Sequence, residues 1–159
     1  MSDQSVKTWT FPDVHPTSPG PWADEPDKVQ WVDKATGLDC LIVRNGVGAL
    51  CGYVGLPPGH PLHGKDYGEA HDLADINVHG GLTFANACNE SAKDGHGICH
   101  VPFPGRPADV WWLGFDCAHY MDLSPRYTHL VGETGTYRDV AYVRAECASL
   151  AGQLLAVAA

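Results

Sequence analysis

The sequence predicts an α+β fold, in which an antiparallel sheet carries one long C-terminal helix packed on one face. Two observations lead to this prediction. Short β-compatible runs near 29–33, 38–44 and 48–54 are separated by the turn sequences ATG and NGVG, and Asn-Gly favours a hairpin. The C-terminal segment, by contrast, repeats apolar side chains at three- and four-residue spacings, which is the pattern of a helix with one buried stripe.

The N-terminal part of the chain differs from the rest. Residues 1–28 hold five prolines and little periodicity, so we expect an extended arm on the surface. Residues 29–159 then form a single domain, because 159 residues suffice for one real core and no linker or repeat interrupts them.

The remaining elements follow from breaker residues and apolar runs. Dense prolines and glycines predict loops over 57–72 and 89–108. Strands are expected at 74–79 and 81–87, interrupted by Gly80-Gly81, and a buried strand in DVWWLGFDCAH. The helical stripe comprises Val140, Val143, Cys147, Leu150 and Leu154. Thr136, followed three residues later by Asp139, resembles a capping box that would begin this helix.

Composition limits the partners. The formal net charge is −9, with ten Lys plus Arg, so the chain repels a phosphate polymer and binding of nucleic acid is not expected. A small anionic ligand remains compatible, because backbone N–H groups and one or two cations can hold it. No run reaches the ~20 apolar residues of a membrane span. An unpaired edge strand and the Leu- and Ala-rich terminal helix leave a homo-oligomer open.

The six cysteines contain no CxxC pair, and no secretory signal is evident in MSDQSVKTWTFPDVHP. We therefore expect a cytoplasmic protein whose thiols are reduced and packed as small hydrophobic groups, rather than a disulfide framework.

One candidate site follows the last predicted strand. Asp116, His119 and Asp122 recur every third residue, so a helical turn after the strand would place them on one face. An imidazole with two carboxylates suits a divalent metal such as Zn, Mn or Mg. Without a metal, Asp116 could orient His119 as a general base. In the structural alternative, Asp116 caps the next turn and His119 is a partly exposed ring.

A second candidate lies in INVHGGLTFA. A histidine followed by two glycines lets the backbone approach a ligand, so His79 would be an acid, base or fourth metal ligand. Gly80 and Gly81 would shape an anion cradle, and Thr83 belongs to the same segment. The alternative is that Gly80-Gly81 forms a hairpin turn and His79 is a half-buried strand residue.

Further ligand-binding candidates lie in the loops and in the last strand. GHPLHGKDY offers His60 and His63 in a loop stiffened by prolines, with Lys65 as a cation for an anionic ligand. Trp112, near Arg106, could present an indole face to a nucleotide base. The alternatives are solvated loop histidines and tryptophans packed in the core.

Four stretches together resemble a family of small, uncharacterised proteins encoded in bacteriophage and bacterial genomes: CGYVGLPPGHPLHGKDY, HGGLTFA, WWLGFDCAH and YRDVAYVRAEC. The resemblance covers roughly residues 38–155. It implies a phage-encoded accessory protein of the host cytoplasm, and such proteins often act on host defence by destroying or sequestering nucleotide second messengers.

Two functions follow as hypotheses. The first is a phosphodiesterase-like hydrolase of a nucleotide-like small molecule, with His79, Asp116 and His119 at its centre and Asp122 or His60 as a further ligand or acid–base group. The second is a binding protein that sequesters a small anionic ligand without turnover. A surface inhibitor is a third reading, disfavoured because the negative charge is spread along the chain.

Overall fold

The computed structural model describes residues 6–88, 97–127 and 135–158. Its centre is a six-stranded antiparallel sheet of strand order β1-β2-β3-β4-β6-β5. The strands are β1 (Lys7–Trp9), β2 (Lys28–Val32), β3 (Asp39–Arg44), β4 (Leu50–Leu56), β5 (Phe84–Ala87) and β6 (Trp111–Asp116). The described residues also form two α-helices, α1 (Tyr67–Ala74) and α2 (Val140–Ala158). Two short 3-10 helices lie at Pro21–Asp24 and Pro125–Tyr127.

The α+β prediction is confirmed, since α2 packs on β3 and β4. The three predicted hairpin strands correspond to β2, β3 and β4. In the turn between β3 and β4, the Asn45 side chain accepts hydrogen bonds from the backbone N–H groups of Val47 and Ala49. Local turn chemistry therefore sets this register, as the Asn-Gly pair predicts.

The sheet is buried on both faces because β3 and β4 alternate apolar residues between two clusters. One face packs against the stripe of α2, which buries Val143, Cys147, Leu150 and Leu154. The other face is covered by the chain from 97 to 110. There the Gln30 amide donates to Val101 O and accepts from Val101 N, both at 2.7 Å. The prediction had a helix on one face of the sheet, and the structure adds this cover on the other face.

Gly52 allows α2 to lie close to the sheet. A Cβ at this position in β4 would come within 2.4 Å of the Phe115 ring and 2.8 Å of Cys147 Sγ. A side chain there would therefore push the helix away from the strand.

The segment 67–79 departs from the predicted loop and strand. Residues Tyr67–Ala74 form α1, which begins because the Asp66 carboxylate accepts from the Glu69 backbone N–H at 2.8 Å. The predicted strand at 74–79 is wrong, since Asp75 ends the helix in the left-handed conformation (φ 51°). Of the strand expected over 81–87, only Phe84–Ala87 pairs with β6.

The segment predicted as an N-terminal arm, of which residues 6–28 are described, is packed on the domain. β1 pairs with β2, and Phe11 and Trp22 are buried. Asp27 is fully buried and accepts from the Phe11 backbone N–H and from Arg44 Nε. These contacts tie the segment to β3.

The cap of α2 also differs from the prediction. Asp139, not Thr136, is the N-cap, because its carboxylate accepts from the Tyr142 backbone N–H at 2.8 Å. Thr136 instead pairs through its backbone with Met121 and Leu123. Thr136, which the capping-box pattern predicted as the N-cap, is therefore engaged in backbone pairing with a distant segment instead.

We expect Asp139→Ala to lower the free energy of unfolding by about 1 kcal/mol, because an orphan N–H at the helix start loses its acceptor. Thr136→Ala is the matched control and should change it by less than about 0.5 kcal/mol. Urea unfolding of both variants measures this. A larger loss for Thr136→Ala than for Asp139→Ala would contradict the cap assignment.

The expectation of reduced cysteines holds for four of the six. Cys40, Cys51, Cys117 and Cys147 are free and buried. Burial raises the pKa of all four thiols, that of Cys51 to about 12, so they are unreactive packing groups. The expectation is wrong for Cys88 and Cys99, which form a disulfide between the end of β5 and the 97–110 segment. Within the described residues, no helix is long and apolar enough to cross a membrane.

Candidate functional site

The site is built around the turn that contains His79. The Gly81 backbone N–H donates to Val78 O at 2.8 Å and closes this turn, in which Gly80 and Gly81 both have positive φ values of 68° and 78°. The turn leads from the segment after α1 into β5. Because Gly81 uses its N–H to close the turn, that group is already engaged and is not open to a ligand.

His79 makes three hydrogen bonds to two distant segments. Its Nε2 lies 2.8 Å from Asp122 Oδ2, and its Nδ1 lies 2.7 Å from the Tyr142 hydroxyl. Its backbone N–H donates to Glu146 Oε1 at 2.8 Å. The turn is thereby fixed to the chain after β6 and to the first turns of α2.

The Asp122 carboxylate accepts three hydrogen bonds in the network. Besides His79, its carboxylate accepts from Arg138 Nε at 2.9 Å and from the His119 backbone N–H at 3.1 Å. Its side chain is 1% exposed. Burial acts to raise the pKa of this carboxyl, but the hydrogen bonds from His79, Arg138 and the His119 amide outweigh burial and hold the pKa below its ordinary value.

These partners assign the tautomer of His79. Because Asp122 is ionised and accepts only, His79 Nε2 carries the proton. In the neutral ring, Nδ1 then accepts from the Tyr142 hydroxyl. Burial raises the pKa of Tyr142, which keeps the phenolic proton in place at neutral pH.

A second His–Asp pair lies beside the first. His119 Nε2 is 3.1 Å from Asp116 Oδ1. Asp116 is held in position by the Thr83 hydroxyl, which donates to Oδ2 at 3.0 Å, and by the Ala118 backbone N–H, which donates to Oδ1 at 3.1 Å. Within the described part of the chain, His119 Nε2 is buried and lacks a partner in hydrogen-bond alignment. The pair is therefore close but misaligned for a hydrogen bond.

Gly80 provides the space for the His119 ring. A Cβ on Gly80 would lie 2.3 Å from Cδ2 and 2.4 Å from Nε2 of that ring. The first glycine of the HGG motif is thus required for the close approach of a histidine, not for a strand break.

The two pairs form one continuous network. The rings of His79 and His119 lie 6.3 Å apart, and Asp122 bonds to both residues. The His119 and Asp116 side chains are 35% and 28% exposed, so this pair is the more accessible to a ligand. The predicted helical turn is absent. Residues 116–122 instead form an irregular turn with Met121 at φ 72°.

The structure brings together two of the three candidate segments. The histidines of the third lie elsewhere or serve other contacts. His60 Nε2 bonds to Leu154 O at 2.8 Å, and Tyr142 lies twelve residues earlier on α2, about 18 Å along the helix. Lys65 pairs with Glu69 at 3.9 Å, and its backbone O accepts from Trp111 Nε1.

The remaining predicted ligand-binding residues also lie apart from the network. Arg106 pairs with Asp39 at 3.2 Å, at the end of β3 that the register places away from Asp116. Trp112 is fully buried in the second core cluster, so its ring is closed to a ligand. His63 lies against the Trp111 ring, with 6.1 Å between ring centres.

The four predicted metal ligands do not gather their donor atoms. Asp122 has both oxygens engaged by His79, Arg138 and the His119 amide. Among the residues that the structure describes, a cluster of three or more ligand atoms within 4.8 Å of one another occurs at Cys88, Cys99 and His100. This cluster shares no residue with the predicted metal ligands, which are His79, Asp116, His119 and Asp122.

Three residues of the network were not predicted: Arg138, Tyr142 and Glu146. They follow one another at four-residue intervals, beside the apolar stripe of α2. A polar stripe at helical spacing next to a buried one was the available signal. Arg138 Nε donates to Asp122, and its guanidinium lies 5.0 Å from the centre of the Tyr142 ring, so it places a cation beside two partners of His79.

The fold and the site together define a small α+β protein with a sheet covered on both faces and a network of two His–Asp pairs at one sheet end. Neither protein-family models, nor curated proteins, nor solved structures give a match to this chain.

Proposed function

We propose that the protein is a small hydrolase that cleaves a phosphoester of a nucleotide-like molecule with its two His–Asp pairs. The observation that carries the proposal is the His119–Asp116 pair. Asp116 is fixed by Thr83 and Ala118 and faces the buried Nε2 of His119 at 3.1 Å, while the His119 side chain as a whole is 35% exposed. An imidazole held beside an oriented carboxylate is the arrangement of a general base.

In this mechanism His119 takes a proton from a water molecule at Nδ1, because its Nε2 is buried and faces Asp116, and the water oxygen attacks phosphorus. The bond from phosphorus to the leaving oxygen then breaks. For this step His79 has first taken a proton from solvent, so that its Nδ1–H donates to the Tyr142 oxygen instead of accepting from it. The leaving oxygen receives the Tyr142 hydroxyl proton, the Tyr142 oxygen takes the proton from Nδ1, and the proton held by His119 passes to solvent. Asp122 stabilises the charge on His79 through the bond at Nε2. The two histidines thus share the base and acid roles.

Arg138 supplies the charge for an anionic substrate. Its Nε is committed to Asp122, which leaves the Nη groups to face a phosphoryl oxygen. Its side chain is 25% exposed. This assignment replaces Lys65 and Arg106 as the expected cations. The mechanism uses no metal, because both carboxylate oxygens of Asp122 already accept hydrogen bonds.

The resemblance to small phage and bacterial proteins suggests the biological substrate. The proposed substrate is a nucleotide second messenger of host defence, acted on in the host cytoplasm, since the net charge of −9 disfavours a phosphate polymer but leaves a small anionic ligand compatible. Sequestration without turnover is the competing function. It is favoured by one observation, that both ring nitrogens of His79 are already engaged.

The test is turnover of a panel of linear and cyclic nucleotides, followed by chromatography. We expect wild-type protein to release a product, and His119→Gln to slow release by about 10²–10⁴-fold. His63→Gln is the matched control, because His63 lies against Trp111 away from the network, and it should keep the wild-type rate. The proposal would be contradicted if His119→Gln kept full activity, or if a chelator abolished the activity of the wild-type protein.

A further inference from the structure

The end of β5 holds a cluster that the proposed hydrolytic site does not use. Cys88, Cys99 and His100 place two sulfurs and Nδ1 within 4.8 Å of one another. The register pairs Ala87 with Trp111 and Cys51 with Asp116, so this cluster lies at the opposite end of β6 from Asp116. It is therefore independent of the His–Asp network.

The orientation of His100 is that of a metal ligand. His100 is buried, and its Nε2 lies 3.1 Å from Pro107 O. A carbonyl only accepts, so Nε2 carries the proton and Nδ1 presents its lone pair to the sulfurs. A backbone carbonyl that fixes the far nitrogen is the usual partner of a zinc-bound histidine.

The distances suit zinc. Cys88 Sγ lies 3.7 Å from His100 Nδ1. Two ligands on a tetrahedral zinc, at about 2.3 Å for sulfur and about 2.0 Å for nitrogen, are separated by about 3.5 Å. The spacing of the first sulfur and the imidazole is already close to that value.

The surroundings of Cys88 favour a thiolate. Trp112 Nε1–H donates to Cys88 Sγ at 3.2 Å from within the buried second core cluster. An N–H bond of this kind stabilises negative charge on the sulfur. The other four cysteines are poor metal ligands, because burial raises the pKa of each thiol and disfavours the thiolate.

We infer that Cys88, Cys99 and His100 form a redox-controlled zinc site. The disulfide of the structure is its oxidised form. A dithiol reductant delivers two electrons and two protons, opens the S–S bond and itself becomes a disulfide. Zn²⁺ then displaces the two thiol protons and binds two thiolates and Nδ1. These three described ligands leave one tetrahedral position for water or another donor.

The test uses the full chain in both redox states. Protein is reduced with dithiothreitol, desalted under nitrogen and titrated with Co²⁺, then with Zn²⁺. We expect one equivalent of Co²⁺ with a thiolate-to-cobalt charge-transfer band that Zn²⁺ abolishes. The oxidised protein, which is folded but lacks thiolates, should bind none.

Variants locate the site. Loss of an orienting partner alone weakens zinc binding by about 10–100-fold, so His100→Gln and Cys88→Ser should weaken it at least tenfold. His63→Gln and His119→Gln should bind as wild type does, which separates this site from the hydrolytic one. Circular dichroism checks the fold of each variant. The inference is overturned if the reduced wild-type protein binds no Co²⁺, or if His100→Gln binds it undiminished.

Discussion

Asp122→Asn is expected to lower the free energy of unfolding at pH 7 by about 3 kcal/mol. The carboxylate is 1% exposed and is the shared acceptor of His79, Arg138 and the His119 amide. An amide keeps the shape but not the charge, and it leaves the Arg138 guanidinium beside a neutral group. The change should also slow any turnover, because His79 loses the partner that stabilises its protonated form.

The effect of Asp122→Asn should depend on pH in one direction. The pKa of Asp122 is depressed in the folded protein, so its stabilisation is fully present above its unfolded pKa of about 3.9. That stabilisation is lost as the pH falls through the lower folded pKa. The difference in the free energy of unfolding between wild type and Asp122→Asn should therefore be constant from about pH 5 to 7 and should become smaller below about pH 4.

Urea unfolding at pH 7, 5 and 3 measures this dependence. Asp72→Asn, on the exposed surface of α1, is the control and should stay within about 0.5 kcal/mol of wild type throughout. If the free energies of unfolding of wild type and Asp122→Asn differ more at pH 3 than at pH 7, the network described for Asp122 is contradicted.

Gly80→Ala should have the second large effect, because two penalties combine. A left-handed conformation costs an alanine about 1–2 kcal/mol, and Gly80 has φ 68°. The new Cβ would also lie 2.3 Å from the His119 ring, which must then move. We expect the variant to lose turnover as His119→Gln does, in addition to its loss of stability.

Gly81→Ala is the matched control for this experiment. Gly81 has a similar φ of 78°, but the nearest atom that a Cβ there would meet, among the residues that the structure describes, is 3.7 Å away on His71. It carries the conformational cost without displacing His119. Calorimetry and turnover measurements on both variants separate the cost of the left-handed conformation from the effect of displacing the His119 ring. Equal loss of turnover in Gly80→Ala and Gly81→Ala would show that the contact between Gly80 and His119 is unimportant.

The sequence predicted the elements whose signals are local. Asn45 and Gly46 set the hairpin between β3 and β4, and the three- and four-residue spacing from Val140 to Leu154 predicted α2. Helix α1 was missed although its signal is local as well. Asp66, followed three residues later by Glu69, is a capping pattern, and the surrounding prolines and glycines obscured it.

The site was predictable only in part, because its parts meet through tertiary contacts. Asp116, His119 and Asp122 were found from their spacing, and His79 from the glycines that follow it. Arg138 reaches Asp122 because the backbone of Thr136 pairs with residues 121–123, an interaction between distant segments. No local pattern encodes that pairing. Likewise, His60 had the right chemistry but lies at the far end of α2, which spacing alone does not reveal.

In the proposed function the two His–Asp pairs break a bond in a nucleotide rather than hold the nucleotide. A mass balance tests this most directly: wild-type protein is incubated with each nucleotide and then denatured by heat. We expect that one nucleotide disappears, that a product of changed mass accumulates beyond one equivalent of protein, and that heat returns none of the original. Recovery of that nucleotide intact, at one equivalent or less, would contradict hydrolysis and make the His79 network a binding site.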